Sequence, residues 1–179
     1  MMTTIKVAMT GDNHFDLPRR SEEAKRILNW MLEDWRERGV DLIGFAGDLA
    51  DGPMTERNRA WLIEYISRCA EVATVCVCEG NHDTEISLRN ALGKIANVIV
   101  EDGAGVHVVQ TKSGSVAVAC VSFPSKAKIL AKVGPKSGED LDKIVGQALQ
   151  DVFRNIGRSL ADLNMPKVAL VPGTIRGSK

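Results

Sequence analysis

The chain has 179 residues, about the length of one domain, with 44% hydrophobic and 26% charged residues, a globular mix that argues against intrinsic disorder. Lys plus Arg and Asp plus Glu both number 23, so zero net charge excludes a strongly basic nucleic-acid arm or an acidic tail as the main idea. No apolar run reaches the roughly 18–20 residues that a transmembrane helix needs, and Met1 to Met9 does not read as a signal peptide. With four irregularly spaced cysteines, a reduced, cytoplasmic chain without membrane contact is expected.

Ile5 to Met9 reads as a strand and Thr10 to Asp16 as the loop after it. Pro18 opens a helical stretch in which Ala24, Ile27, Leu28, Met31 and Trp35 form one apolar stripe, and Gly39 is a plausible stop. Leu42 to Ala46 is a second strand and Gly47 to Pro53 its loop. A second helix follows, with Leu62, Ile66 and Cys69 on one face. Thr74 to Cys78 is a third strand, ending in the polar loop Glu79 to Thr84. Three strand–loop–helix units in a row predict an α/β sheet with crossover helices.

The second half changes character. Val98 to Val100, Val106 to Thr111 and Ser115 to Val121 read as strands, with Lys112-Ser113-Gly114 as a hairpin signal. Asp140 to Leu163 reads as a long helix and Lys167 to Val171 as a last strand. Residues 1–171 are expected to form one domain and residues 172–179 a loop-like tail.

The chemistry lies at the ends of the first three strands. The loops carry Gly11-Asp12-Asn13-His14, then Gly47-Asp48-Leu49-Ala50-Asp51, then Gly80-Asn81-His82-Asp83. Ligands of open α/β sheets gather beyond the carboxyl ends of the strands, so these loops should meet. A carboxylate and an imidazole two residues apart, Asp12 and His14, can grip one ion. Asp48 can bridge two cations, and Asn81 offers a neutral carbonyl oxygen. Oxygen and imidazole donors without thiolates suit Mn²⁺ first, then Mg²⁺, Fe or Zn²⁺. Two such ions about 3.5–4 Å apart would bind a phosphate and activate a water. His82 could protonate the leaving oxygen.

Asp-x-His, Gly-Asp-x-x-Asp and Gly-Asn-His-Asp, in that order, resemble the calcineurin-like metallophosphoesterase superfamily. The last of these, with Val121-Ser122-Phe123-Pro124-Ser125, is similar to its SbcD-type DNA-repair exonuclease branch. The resemblance implies a sandwich of two facing sheets flanked by helices and two divalent metals. Asp12 and His14 would hold the first, Asp48 would bridge, Asn81 would hold the second, and His82 would be the catalytic histidine. It also implies DNA as substrate, cleaved by a metal-activated water, and an SMC-like ATPase of the SbcC type as partner. A phosphomonoesterase of the same superfamily is the enzyme alternative.

The sequence departs from the family pattern in its second half. The family carries one histidine after a late strand and two more as Gly-His-x-His, whereas this chain has only His14, His82 and His107. Pro172 and Gly173 stand where the late strand should lead to the first of the missing histidines. The second metal would keep only Asp48 and Asn81. The sandwich is therefore read as C-terminally incomplete, with an uncovered sheet edge. Two accounts fit: a split subunit whose partner carries the missing histidines, or a non-catalytic binding subunit.

Other residues carry blander readings. Asp51 is read as a turn or supporting residue, and Asp83 as a cap on the following helix or an orienter of His82. His107 is read as structural, Cys76 and Cys78 as buried thiols, and Trp30, Trp35 and Trp61 as packing residues. Lys126, Lys128, Lys132 and Lys136 read as a solvated helix face before a DNA track. Gly134-Pro135-Lys136-Ser137 lacks the spacing of a phosphate loop.

Overall fold

The computed structural model describes residues 4–15, 21–83, 88–124, 130, 134 and 137–173. The lysine run at 126–136 and Pro18 lie outside these residues. Strands β1 (Val7–Thr10), β2 (Leu42–Ala46), β3 (Thr74–Cys78) and β4 (Val98–Glu101) form a parallel sheet in the order β1-β2-β3-β4. Strands β5 (Ala104–Thr111), β6 (Gly114–Val121) and β7 (Lys167–Leu170) form a second sheet in the order β5-β6-β7. β5 and β6 are an antiparallel hairpin, and β7 joins β6 in parallel. Helices α1 (Ser21–Arg38), α2 (Glu56–Val72) and α3 (Leu88–Leu92) follow the first three strands, and α4 (Gly138–Ala161) precedes β7. The result is the expected α/β arrangement of two sheets flanked by helices.

The strands are apolar on both faces because both faces of the first sheet are covered. One face packs on the helices: Ile43, Phe45, Val75 and Val77 are buried with Leu28, Leu32 and Trp35 of α1 and Leu62, Tyr65 and Ile66 of α2. The other face packs on the second sheet: Leu42, Cys76 and Cys78 are buried with Val116, Val118, Cys120 and Leu170. Period-two alternation thus sorts each strand's side chains into two separate cores.

Local signals set the element ends. α1 stops where Gly39 takes φ +61 and Val40 N–H bonds back to Trp35 O at 3.1 Å, the left-handed C-terminal turn that glycine favours. Thr55 caps α2 by accepting from Asn58 N–H at 3.2 Å. Ser137 caps α4 in the same way through Asp140 N–H.

Two expectations are corrected. The buried stripe of α1 is Leu28, Leu32 and Trp35, whereas Ile27 is exposed. Residues 28, 32 and 35 recur at four and three, so the face turns away from position 27. Trp30 is not a packing residue, since it is 67% exposed on the opposite face. The short strand at Val98 belongs to the parallel sheet, completing it before the chain changes to hairpin pairing.

Among the described residues β1 pairs only with β2 and β7 only with β6, so each is a sheet edge. Gly44 lies beneath both Leu170 and Met9, placing these edges on one flank of the sandwich. There Met9 is 49% exposed.

Phe45 ties the helical core together, with its ring 6.3 Å from Trp35 and 6.4 Å from Tyr65. Removing such a buried ring costs about 3–5 kcal/mol. Phe45→Ala should lower the unfolding free energy by about that amount in urea denaturation, while the exposed Trp30→Ala should move it by about 0.5 kcal/mol or less.

Candidate metal centre

The three strand-end loops are stitched into one surface by their backbones. Asp12 N–H bonds to Gly47 O at 3.1 Å, His14 N–H to Asp48 O at 3.1 Å and Phe15 N–H to Leu49 O at 2.7 Å, joining the first loop to the second. His82 N–H bonds to Asp48 Oδ1 at 3.0 Å, joining the second to the third. Two glycines permit this approach. A Cβ on Gly80 would stand 2.2 Å from Asp48 Oδ1, and one on Gly47 would stand 2.7 Å from Gly80 Cα.

Asp83 fastens the second and third loops. Its carboxylate is fully buried and accepts from Asp48 N–H at 2.8 Å, Gly80 N–H at 2.8 Å and Ala50 N–H at 3.0 Å. Burial raises its carboxyl above the ordinary range, and the three amides oppose that rise. Among the described residues Asp83 thus acts on the loop amides and not on the His82 ring, and residues 84–87, where a cap would bond, lie outside them. Both oxygens are committed to loop amides. The histidine's partner is Asp51, whose Oδ1 lies 2.9 Å from His82 Nδ1 and 3.9 Å from His14 Nδ1.

Backbone strain concentrates at the same place. Among the described residues four non-glycines have positive φ, and three of them are Asp12 (59°), His14 (45°) and Asp48 (53°). Such conformations cost about 1–3 kcal/mol each and persist where the surroundings dictate them. Here the loop-to-loop hydrogen bonds at Asp12, His14 and Asp48 dictate them.

The donor set can be tested for a metal. Asp12 Oδ1 and His14 Nε2 lie 2.8 Å apart. Two donors at right angles, each about 2.0–2.2 Å from one ion, would lie about 3 Å apart. Buried Nδ1 of His14 and Oδ1 of Asn13 have no hydrogen-bond partner. Polar atoms left so are costly unless a ligand or ion changes the account. The oxygen and imidazole donors of the first loop thus suit one divalent ion. Among the described residues, however, no three His, Cys, Asp or Glu side chains form a ready-made cage. The second position fares worse. β7 leads to Pro172, which packs against Gly47 beside Asp48 and offers no donor.

His107 and the two β3 cysteines fall outside this surface, whereas Asn81 lies on its third loop beside His82. His107 Nε2 lies 3.0 Å from Glu101 Oε2, a local pair at the β4–β5 junction. Cys76 and Cys78 are buried between the sheets. Asn81 stands exposed in the third loop. Asp51 matches its reading as a supporting residue: the Gly-Asp-x-x-Asp spacing returns a second carboxylate, three residues after Asp48, to the rim of the site against His82.

The sequence model of the calcineurin-like phosphoesterase family matches residues 5–160. The chain belongs to this family, whose members are metal-dependent phosphoesterases that generally bind two divalent metals. No helix among the described residues is long and apolar enough to cross a membrane.

Asp83→Asn tests the fastening. An amide keeps one acceptor oxygen but turns an NH₂ toward backbone N–H donors. The expected loss is about 3 kcal/mol, since buried unpaired donors cost about 1–3 kcal/mol each. Urea denaturation measures it. A loss under about 0.5 kcal/mol would show that the loops hold without Asp83.

Proposed function

We propose that the chain acts on phosphodiesters, most specifically as a DNA exonuclease or endonuclease of the SbcD type. The observation that carries the reading is the pairing of two units on one surface. Asp12 with His14 forms one, and Asp51 with His82 forms the other, with the two imidazole centroids 5.6 Å apart. In this reading Asp12, His14 and Asp48 hold the first divalent ion, Mn²⁺ by preference, and Asn81 with Asp48 contributes to a second. The bound ion supplies charge neutralisation of the phosphate and an acidified water.

The chain's own residues supply the rest. His82 is 45% exposed, so its ring can meet a substrate. With Nδ1 engaged by Asp51, Nε2 is the nitrogen left to give a proton to the departing oxygen. Asp51 fixes the ring's orientation. Asp48 holds the third loop through the His82 amide, so that metal donor and acid move as one body.

A nucleic-acid substrate is favoured by Phe123. Its N–H bonds to Glu79 O at 2.8 Å, which ties the β6 exit to the third loop, and the residue is 41% exposed. An exposed aromatic beside a phosphoester site suits a nucleobase better than a small phosphomonoester. The donor shortage at Pro172 favours a second reading, in which another polypeptide completes the site or an SMC-like ATPase of the SbcC type recruits the chain as a binding subunit.

The test is Mn²⁺-dependent cleavage of linear DNA, with Asp48→Ala as the matched control. Cleavage should vanish in the control. Cleavage no greater than in the control would rule out independent catalysis and leave the subunit reading. In an active chain, His82→Ala should lower kcat by about 10²–10⁴-fold, with Mn²⁺ binding unchanged by calorimetry. Unchanged kcat would remove His82 from the proton step. Phe123→Ala should raise KM for single-stranded DNA by about tenfold, consistent with about 1–3 kcal/mol per stacked base. Hydrolysis of bis-p-nitrophenyl phosphate should be unaffected, and an equal effect on both substrates would deny base stacking.

A further inference from the structure

Among the described residues three polar side chains are buried, those of Asp41, Asp83 and Ser122. Asp83 fastens the second and third loops. Asp41 lies before β2, at the strand ends remote from the site, where it accepts from Lys6 N–H at 2.9 Å and from the Ser113 hydroxyl at 2.8 Å. Ser122 follows β6 and is 6% exposed. A buried hydroxyl is costly unless its hydrogen bonds are made. Both bonds of this hydroxyl lie at the root of the third loop.

The Ser122 hydroxyl accepts from Glu79 N–H at 3.0 Å and donates to Glu101 O. It stands where the β3–β4 ladder ends, since the direct bond from Glu79 N–H to Glu101 O is 3.3 Å long. The backbone adds two more ties. Ser122 N–H reaches Gly103 O at 2.7 Å, and Phe123 N–H reaches Glu79 O at 2.8 Å. One serine thus gathers the root of the third loop, the end of β4 and the turn into β5. Glu79 is held at both its N–H and its C=O. A methyl in place of the hydroxyl can neither accept nor donate.

Between Glu79 and His82 the loop has little slack. Gly80 N–H is bound to Asp83 at 2.8 Å, and Gly80 lies so close to Asp48 that a Cβ would stand 2.2 Å from its Oδ1. His82 N–H ends on that same Oδ1 at 3.0 Å. A shift at Glu79 is therefore passed along to His82. On its other side Glu79 holds Phe123.

We propose that Ser122 is a positioning residue for phosphodiester cleavage, holding His82 and Phe123 in a fixed relation through Glu79. This rests on the reading of His82 as the proton donor and Phe123 as the contact for a base. The hydroxyl itself is buried and acts through the loop it holds. Asp83 fixes the third loop against the second, and Ser122 fixes the same loop against the second sheet. Placement to about 1 Å matters to rate, because misplacement on that scale can cost about a hundredfold.

The experiment makes two measurements on the full-length protein carrying Ser122→Ala. Amide hydrogen exchange, followed by NMR, needs no activity. The Glu79 and His82 amides should exchange about tenfold faster, while those of Ile43 and Val75 in the first sheet keep their rates. An unchanged rate at His82 would overturn the proposal, and so would equal acceleration in the sheet. The second measurement is Mn²⁺-dependent cleavage of linear DNA. There kcat should fall about ten- to a hundredfold, with Mn²⁺ affinity unchanged by calorimetry. In a His82→Ala background the same substitution should change kcat by less than about twofold, since its effect passes through that imidazole. The full loss in that background would show a role unconnected with His82. Should Ser122→Ala not fold, Ser122→Cys, whose thiol bonds weakly, is read in the same way. A chain without activity would sink the nuclease reading, and the exchange pattern would still decide whether Ser122 positions the loop.

Discussion

The site depends on one buried carboxylate. Asp83 accepts three backbone N–H groups, two from the second loop and one from the third. Without it, Asp48, Ala50 and Gly80 would each bury a donor with no acceptor, a state that native structures avoid. The contact also fixes geometry. Gly80 lies so close to Asp48 that no larger residue fits, and His82 N–H then falls on Asp48 Oδ1. A single carboxylate with no exposure thereby sets the relation between Asp48 and His82.

This fastening explains how three left-handed residues survive in one site. Asp12, His14 and Asp48 would relax toward ordinary backbone conformations if their loops were free. Each instead donates its backbone N–H in a hydrogen bond to a neighbouring loop. The parallel sheet beneath supplies the rigid base, since β1, β2 and β3 all end at this surface. Strain is tolerated because it is spread over loops that share hydrogen bonds with one another.

The architecture was largely legible in the sequence because apolar runs of four or five residues, closed by Gly-Asp or Gly-Asn, repeat three times. β2 and β3 match their expected bounds without change. The outward position of Trp30 was not legible, since a tryptophan near an apolar stripe looks the same whether it lies in or beside it. The gathering of the three loops followed from topology. The division of labour between Asp51 and Asp83 did not. Both are carboxylates within reach of the same histidine by sequence, and only burial separates them. Asp83 is enclosed and binds amides, whereas Asp51 is half exposed and meets the ring. Spacing reports that a carboxylate is available, but its partner is set by where the chain folds back.

The two halves of the molecule differ in what they bring to the site. The first three strands bring the Asp12–His14 and Asp51–His82 pairs to a single surface. The last strand brings a proline. Pro172 fits against Gly47, where its ring packs on the backbone and supplies no lone pair for a metal. On the same flank β1 and β7 each lack a second partner strand among the described residues, and Met9 of β1 lies half exposed there. The strand end that carries no metal-binding side chain thus lies on the flank where, among the described residues, both sheets end.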